Sequence, residues 1–145
     1  MGSVADLFTG EAKPGLYRLR SSARAESLQR QAEEQGWRCF HIDGAKVQDK
    51  RAFIRTVGKA LDFPAYSAQN WDAFEESIRD LTWAPAKGYL VLFDEPDQFA
   101  AREPEQWAVA RDILDDAIRF QRQQGKPMAV LFRRAGRALP EVPWL

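Results

Sequence analysis

The chain has 145 residues, of which 45% are apolar and 29% charged, which is too apolar for wholesale disorder and long enough for one domain to bury a core without staples. Its single cysteine, Cys39, excludes an internal disulfide and suits a reducing compartment, while the longest apolar runs, such as 89–93, are far too short to span a bilayer. The 21 basic and 21 acidic side chains cancel in sum but not in place: residues 1–61 hold 11 and 7, residues 62–104 hold 3 and 9, and residues 105–145 hold 7 and 5, so a dipolar chain is acidic in its middle.

Residues 1–14 have little periodicity and end in Lys13-Pro14-Gly15, so they read as a loosely attached tail before a single domain over 15–145. They carry neither a secretory leader nor a myristoylation pattern, since Asp6 stands at the Ser/Thr position, and the expectation is a cytoplasmic protein without a membrane partner. Leu16–Arg20 has edge-strand character, and Ser21 or Ser22 can cap a helix over about 23–35 that Gly36 ends; together, 15–36 form a strand-helix extension. Trp37–Ile42 reads as a second strand closed by an Asp43-Gly44 turn. Asp49 caps a helix whose Phe53, Ile54, Val57, Ala60 and Leu61 form one apolar stripe, ending before Phe63-Pro64. A further helix spans Asn70 to about Leu81. Tyr89–Phe93 and Met128–Phe132 are apolar at both parities, as in strands covered on both faces, and between them Pro104 opens a long helix that Gly125 closes. Strands alternating with helices predict an α/β domain with a parallel sheet.

The helix over 70–81 carries the most information. Asn70 is a good N-cap, and Trp71, Phe74, Ile78 and Leu81 share one inward face. Asp72, Glu76 and Asp80 form an i, i+4, i+8 stripe on another face, with Glu75 beside it. Each like-charged pair costs about 0.2–0.5 kcal/mol in an isolated helix, partly offset by Arg79 as the i+4 partner of Glu75. Asp72 lies in the first turn, where the helix dipole favours an acid, but Glu76 and Asp80 lie beyond its reach. A merely solvated face would account for the stripe; a basic partner would relieve it.

Pro64, Tyr66, Asn70-Trp71-Asp72-Ala73, Asp80-Leu81-Thr82-Trp83 and the Gly88–Leu92 strand resemble the barstar family of ribonuclease inhibitors, with a likeness running from about Cys39 to Phe132. The resemblance implies a core of three parallel strands with surrounding helices, to which the N-terminal extension adds an edge strand and cover. It also implies a monomeric bacterial cytosolic protein that blocks a basic ribonuclease, or a related toxin, with an acidic helix and its preceding loop. By that likeness Asp72 is the acid opening the inhibitory helix, and Glu76 stands where the family has its central aspartate. Tyr66 and Asn70 match the loop aromatic and the capping asparagine, and Ser67 occupies the place of a second aromatic. Ala68 stands for an expected glycine, Glu76 is one methylene longer than aspartate, and Glu75 replaces an aromatic contact. The partner-binding set is therefore Tyr66, Ser67, Asn70, Asp72, Glu75, Glu76, Arg79 and Asp80. Carboxylates on a rigid helix can imitate RNA phosphates towards Arg, Lys and His.

The alternative is a binding module of the same fold for another basic protein. A third reading makes Asp72 and Glu76 a catalytic pair, which would line a concave pocket where an inhibitory helix would protrude. Carboxylate pairs that catalyse normally sit on different elements across a cleft, so no enzyme is expected. No cofactor or metal is expected either: Cys39 and His41 share a strand face, but two ligands do not make a zinc site, and packing in the sheet accounts for both. Arg133, Arg134 and Arg137 read as a solubilising basic end without direct nucleic-acid contact. Trp37, Trp71, Trp83 and Trp107 fall on predicted buried faces, and Leu139, Val142 and Trp144 can dock on the body or on a second chain.

Overall fold

A computed structural model describes residues 2–64, 70–136 and 139–145. Strands β3 (Tyr89–Asp94) and β4 (Met128–Arg133) are buried along their whole length. Side chains apolar on both faces need cover on both, which favours parallel pairing through crossover helices. The two strands pair in parallel from Tyr89↔Met128 to Asp94↔Arg133. β2 (Arg38–Asp43) flanks β3, and β1 (Leu16–Leu19) flanks β4 as an edge strand, so the all-parallel order is β1-β4-β3-β2.

Helix α1 (Val4–Thr9) and helix α2 (Ala25–Glu34) cover one face, where Leu7, Leu28 and Ala32 join Leu90, Leu92, Ala129 and Leu131. Helices α3 (Lys50–Ala60), α4 (Trp71–Asp80), α5 (Asp97–Arg102) and α6 (Pro104–Gln123) cover the other, around Phe53, Phe74, Phe93, Phe99 and Phe132. The expected α/β class and parallel sheet are present.

Some local expectations need correction. Residues 4–9, read as part of a loose tail, form α1, which buries Val4 and Leu7 and sets Phe8 edge-on to Trp37 at 5.0 Å. One turn and a half of helix is too short to display a period. Helix α2 takes Arg24 as its N-cap; the Ser21 hydroxyl instead accepts from the Ala23 N–H at 3.1 Å, in the loop after β1. Gly44, read as a turn residue, opens a short 3-10 turn over Gly44–Lys46 and lies against the end of β3: a Cβ there would sit 2.1 Å from the Asp94 carbonyl oxygen. Leu139 and Val142 dock on the body, and the 143–145 segment lies along β1, with the Arg18 N–H donating to Pro143 O and the Leu145 N–H to Arg18 O.

Arg133 is not part of a solvated basic end. It is 3% exposed, and its guanidinium forks onto Asp94, Nε to Oδ1 at 2.7 Å and Nη2 to Oδ2 at 2.9 Å, while Nη1 donates to Ala23 O at 2.6 Å. A fork of this kind satisfies both charges at once, as buried ions require. His41 completes the group: its side chain is 41% exposed at the edge strand, and its Nε2 donates to Asp94 Oδ2 at 2.8 Å. Cys39, on the same strand face, is buried as expected; burial and the nearby Glu33 push its thiol up to about 12. Burial alone would raise the Asp94 carboxyl, but hydrogen bonds from Arg133 and His41 outweigh it and hold the group below the ordinary carboxylate value.

Asp94→Asn leaves the Arg133 guanidinium buried without its counter-charge and should lower unfolding free energy by about 3–5 kcal/mol in urea denaturation at neutral pH. A loss under about 1 kcal/mol would show that the pair is dispensable. The lowered carboxyl also sets a direction with pH. Its stabilisation is present above the unfolded carboxylate value of about 3.9 and disappears as pH falls through the lower folded value. The natural chain should therefore lose stability in that acid window, and the Asn variant should show a flatter limb there.

Candidate functional site

Helix α4 begins because Asn70, in extended conformation, offers its Oδ1 to the Ala73 N–H at 2.8 Å, satisfying one of the orphan donors of the first turn. It ends at Leu81, which is fully buried and held in the left-handed region at φ 49, with its N–H on Ser77 O. Between these ends Phe74 and Ile78 are fully buried. Trp71 is half-buried against Phe53 and Phe74, and its indole N–H donates to Gln106 Oε1 at 2.8 Å on α6.

The C-terminal end of the helix is tied down as well. Gln121, buried on α6, donates to Arg79 O at 2.7 Å and satisfies a carbonyl the helix leaves open. The Tyr89 hydroxyl reaches Ala84 O at 2.8 Å, and the Trp83 indole reaches Leu61 O at 2.9 Å. The acidic helix is thus fastened at its cap, along its inner face and at its exit.

Asp72, Glu76 and Asp80 are exposed on its outer face, with Glu75 half-exposed beside them. Arg79 pairs with Glu75 at 3.9 Å, as the i+4 spacing anticipates, and its guanidinium also lies 4.6 Å from the centre of the Phe120 ring. The carboxylates line a groove of about 620 Å³ between α4 and the end of α6, whose far wall brings Phe120, Gln124 and Lys126. Asp72 and Glu76 therefore do border a concavity, but one open to solvent, in which no carboxylate is buried and no histidine takes part. Of the expected binding set, Asn70, Asp72, Glu75, Glu76, Arg79 and Asp80 are brought together on one helix. Tyr66, Ser67 and the departure at Ala68 lie outside the described residues.

Sequence reading missed the α6 wall, because Phe120 and Lys126 lie 40 or more positions from Asp80 and Asp72 and no local pattern ties them to the acids. It also missed a second stripe. Arg51, Arg55 and Lys59 are exposed at i, i+4, i+8 on α3, the spacing of the acids on α4, and a scan of that helix for charge as well as apolar period would have found it. Among the described residues no group of three or more His, Cys, Asp or Glu is placed to hold a metal ion, and no helix is long and apolar enough to cross a membrane.

Ser77 sits under the acids, 2% exposed, with its Oγ unpartnered among the described residues. A buried hydroxyl without a partner costs more than the methyl that could replace it. Ser77→Ala should therefore leave stability unchanged or raise it by about 0.5–1 kcal/mol in thermal and urea unfolding. A loss above 1 kcal/mol would mean that the hydroxyl is bonded in solution.

The family model described as Barstar (barnase inhibitor) matches residues 37–133, about two-thirds of the chain and all of the span from β2 to β4. No curated protein matches it. Among solved structures the chain is similar to the Aeropyrum pernix ORC2 protein in its ADP form, with a TM-score of 0.63 and 11% identity, covering 94% of this chain and 40% of that one. It is similar to the ADPNP-ADP complexes of the same protein with a TM-score of 0.60 and 10% identity, covering 95% and 40%. The chain thus spans about 40% of the length of those structures, and at such identity the likeness is one of fold alone.

Proposed function

Because the chain belongs to the barstar family, we propose that it inhibits a basic ribonuclease by presenting the acidic face of α4, with the loop before it, to the enzyme's phosphate-binding site. The observation that carries this reading is the exposed stripe Asp72, Glu76 and Asp80 on a helix fastened at both ends, inside the segment that matches the family. Carboxylates carried on a fastened helix meet a cationic site without the entropy cost of ordering the backbone first. They imitate phosphate oxygens towards guanidinium and ammonium donors. The stripe's own like-charge repulsion is relieved when a cationic surface covers it. Asp72 has a structural share as well, since it lies in the first turn near the positive end of the helix dipole. Glu76 has none of that support, which makes it the sharper probe.

Titrating a guanyl-preferring ribonuclease with the protein while following RNA cleavage should give stoichiometric inhibition. No inhibition at micromolar protein would exclude that class of target and leave a different basic protein as the partner of the same face. Glu76→Ala should weaken partner binding by about 2 kcal/mol or more, roughly thirtyfold, while changing stability by less than about 0.5 kcal/mol. Equal losses in both would reduce the stripe to a structural role. Association should also slow as salt rises from low ionic strength, because the opposed fields that steer encounter are screened over about 10 Å at 0.1 M. A rate independent of salt would contradict electrostatic steering.

A further inference from the structure

The basic end of the chain is split by the fold. Arg133 goes into the core, Arg137 lies outside the described residues, and Arg134 comes to the surface beside two arginines more than 110 positions earlier. Arg18 and Arg20 each place a guanidinium carbon 4.4 Å from the centre of the Trp144 ring, and Trp144 is 41% exposed. The three arginines and Trp144 help to line a concavity of about 570 Å³; among the described residues no Asp or Glu lines it, and the Asp97 carboxylate accepts from the Gly136 N–H on its wall at 2.6 Å. None of the three forms an ion pair among the described residues, and Arg18 is fixed by donating its Nε to Val142 O at 2.6 Å. Arg134 stands at φ 55, a conformation uncommon for any residue with a side chain. A second concavity of about 380 Å³ adjoins the first across Arg20, Ser21 and Trp144, and its walls include Val4, Leu19 and Leu145.

We propose that this paired crevice binds a nucleotide unit, its phosphate on Arg18, Arg20 and Arg134 and its base in the apolar chamber beside Trp144. Three arginines lining one concavity, with no ion-pair partner among the described residues, suit a phosphate. An exposed indole next to them is the other half of single-stranded nucleic-acid recognition, where cationic side chains follow the backbone and an aromatic supports the base. Topology places the crevice independently of its chemistry. The chain leaves β1 towards the α2 face, whereas the connections after β2 and β3 run over the opposite face, so the winding reverses at the β1–β4 boundary. Crevices at the carboxyl ends of parallel strands at such a reversal are where open α/β sheets bind their ligands. Arg20 and Ser21 follow β1, and Arg134 follows β4, at those ends. Sequence reading assigned this basic end to solubility because the residues that give it an aromatic and two more cations lie at the opposite terminus of the chain.

The test is fluorescence anisotropy of a labelled twelve-residue oligouridylate with the full chain at 50 mM salt, competed by uridine monophosphate and by inorganic phosphate. Saturable binding is expected, weakened at least tenfold by Arg20→Glu with Arg134→Glu, and separately by Trp144→Ala. Both arginines are exposed, so the double variant should keep its unfolding midpoint and its ribonuclease inhibition. Competition by uridine monophosphate would show that one nucleotide fills the site, and competition by oligomers alone would show that it takes a strand; either supports the proposal. Three results would overturn it: no saturable binding, equal binding by the charge-reversed variant, or inorganic phosphate competing as well as uridine monophosphate.

Discussion

Strands β3 and β4 carry apolar side chains on both faces, and removing both faces from water is the constraint that arranges everything else. One face is met by α1 and α2, the other by four helices, and the connections that bring them there force the strands to run parallel. Helix α4 owes its position to this. Phe74 and Ile78 bury its inner side in the aromatic cluster around Phe53, which leaves its outer side to solvent and frees that side to carry charge. A face so supported can hold three like charges at helical spacing, because the packing beneath outweighs a repulsion of a few tenths of a kcal/mol per pair.

The burial has one exception, at the carboxyl end of the central strands. Asp94 and Arg133 stand opposite each other in the β3–β4 register, and the Arg133 fork also reaches Ala23 O at the entrance to α2. Apolar contacts are indifferent to a slip of two residues along a strand. A charge pair is not, because any slip leaves an ion buried and unpaired. Satisfied as it is, the pair makes one register far better than its neighbours and anchors the helix layer on the α2 side to the same point.

Much of the fold was legible because its signals are local. The Asn70 cap, the Asp49 cap, the two doubly apolar strands and the acid stripe all declare themselves within a dozen residues, and the structure places each where the pattern puts it. What was illegible depends on partners distant in sequence. Arg133 looks like Arg134 until Asp94, 39 positions away, is brought against it. Trp144 looks like a tail residue until Arg18 and Arg20 lie over it. Helix α1 has too few turns to show a period, and His41 reads as a packed strand residue because nothing local marks β2 as an edge. The neutral sum of charges was the least informative quantity. In three dimensions it resolves into Arg51, Arg55 and Lys59 on α3 and Asp72, Glu76 and Asp80 on the neighbouring α4, a gradient across one layer of helices.

The strand order has a consequence in time as well as in space. β1 precedes the other described strands in the chain, yet among the described residues its neighbour in the sheet is β4, the furthest from it in sequence. Until residues 128–133 have been made, β1 has no strand to pair with, although α2 can already close on β2 and β3, and the segment that seals the edge of β1, 143–145, emerges later still. Pairings of such long sequence separation carry the full cost of loop closure before any contact repays it. Strand β1 must therefore wait unpaired while the stripe of α2 finds its cover on β2 and β3. A nascent chain halted before β4 would hold its acidic helix and the β2–β3 pair, but neither a partner for β1 nor a counter-charge for Asp94.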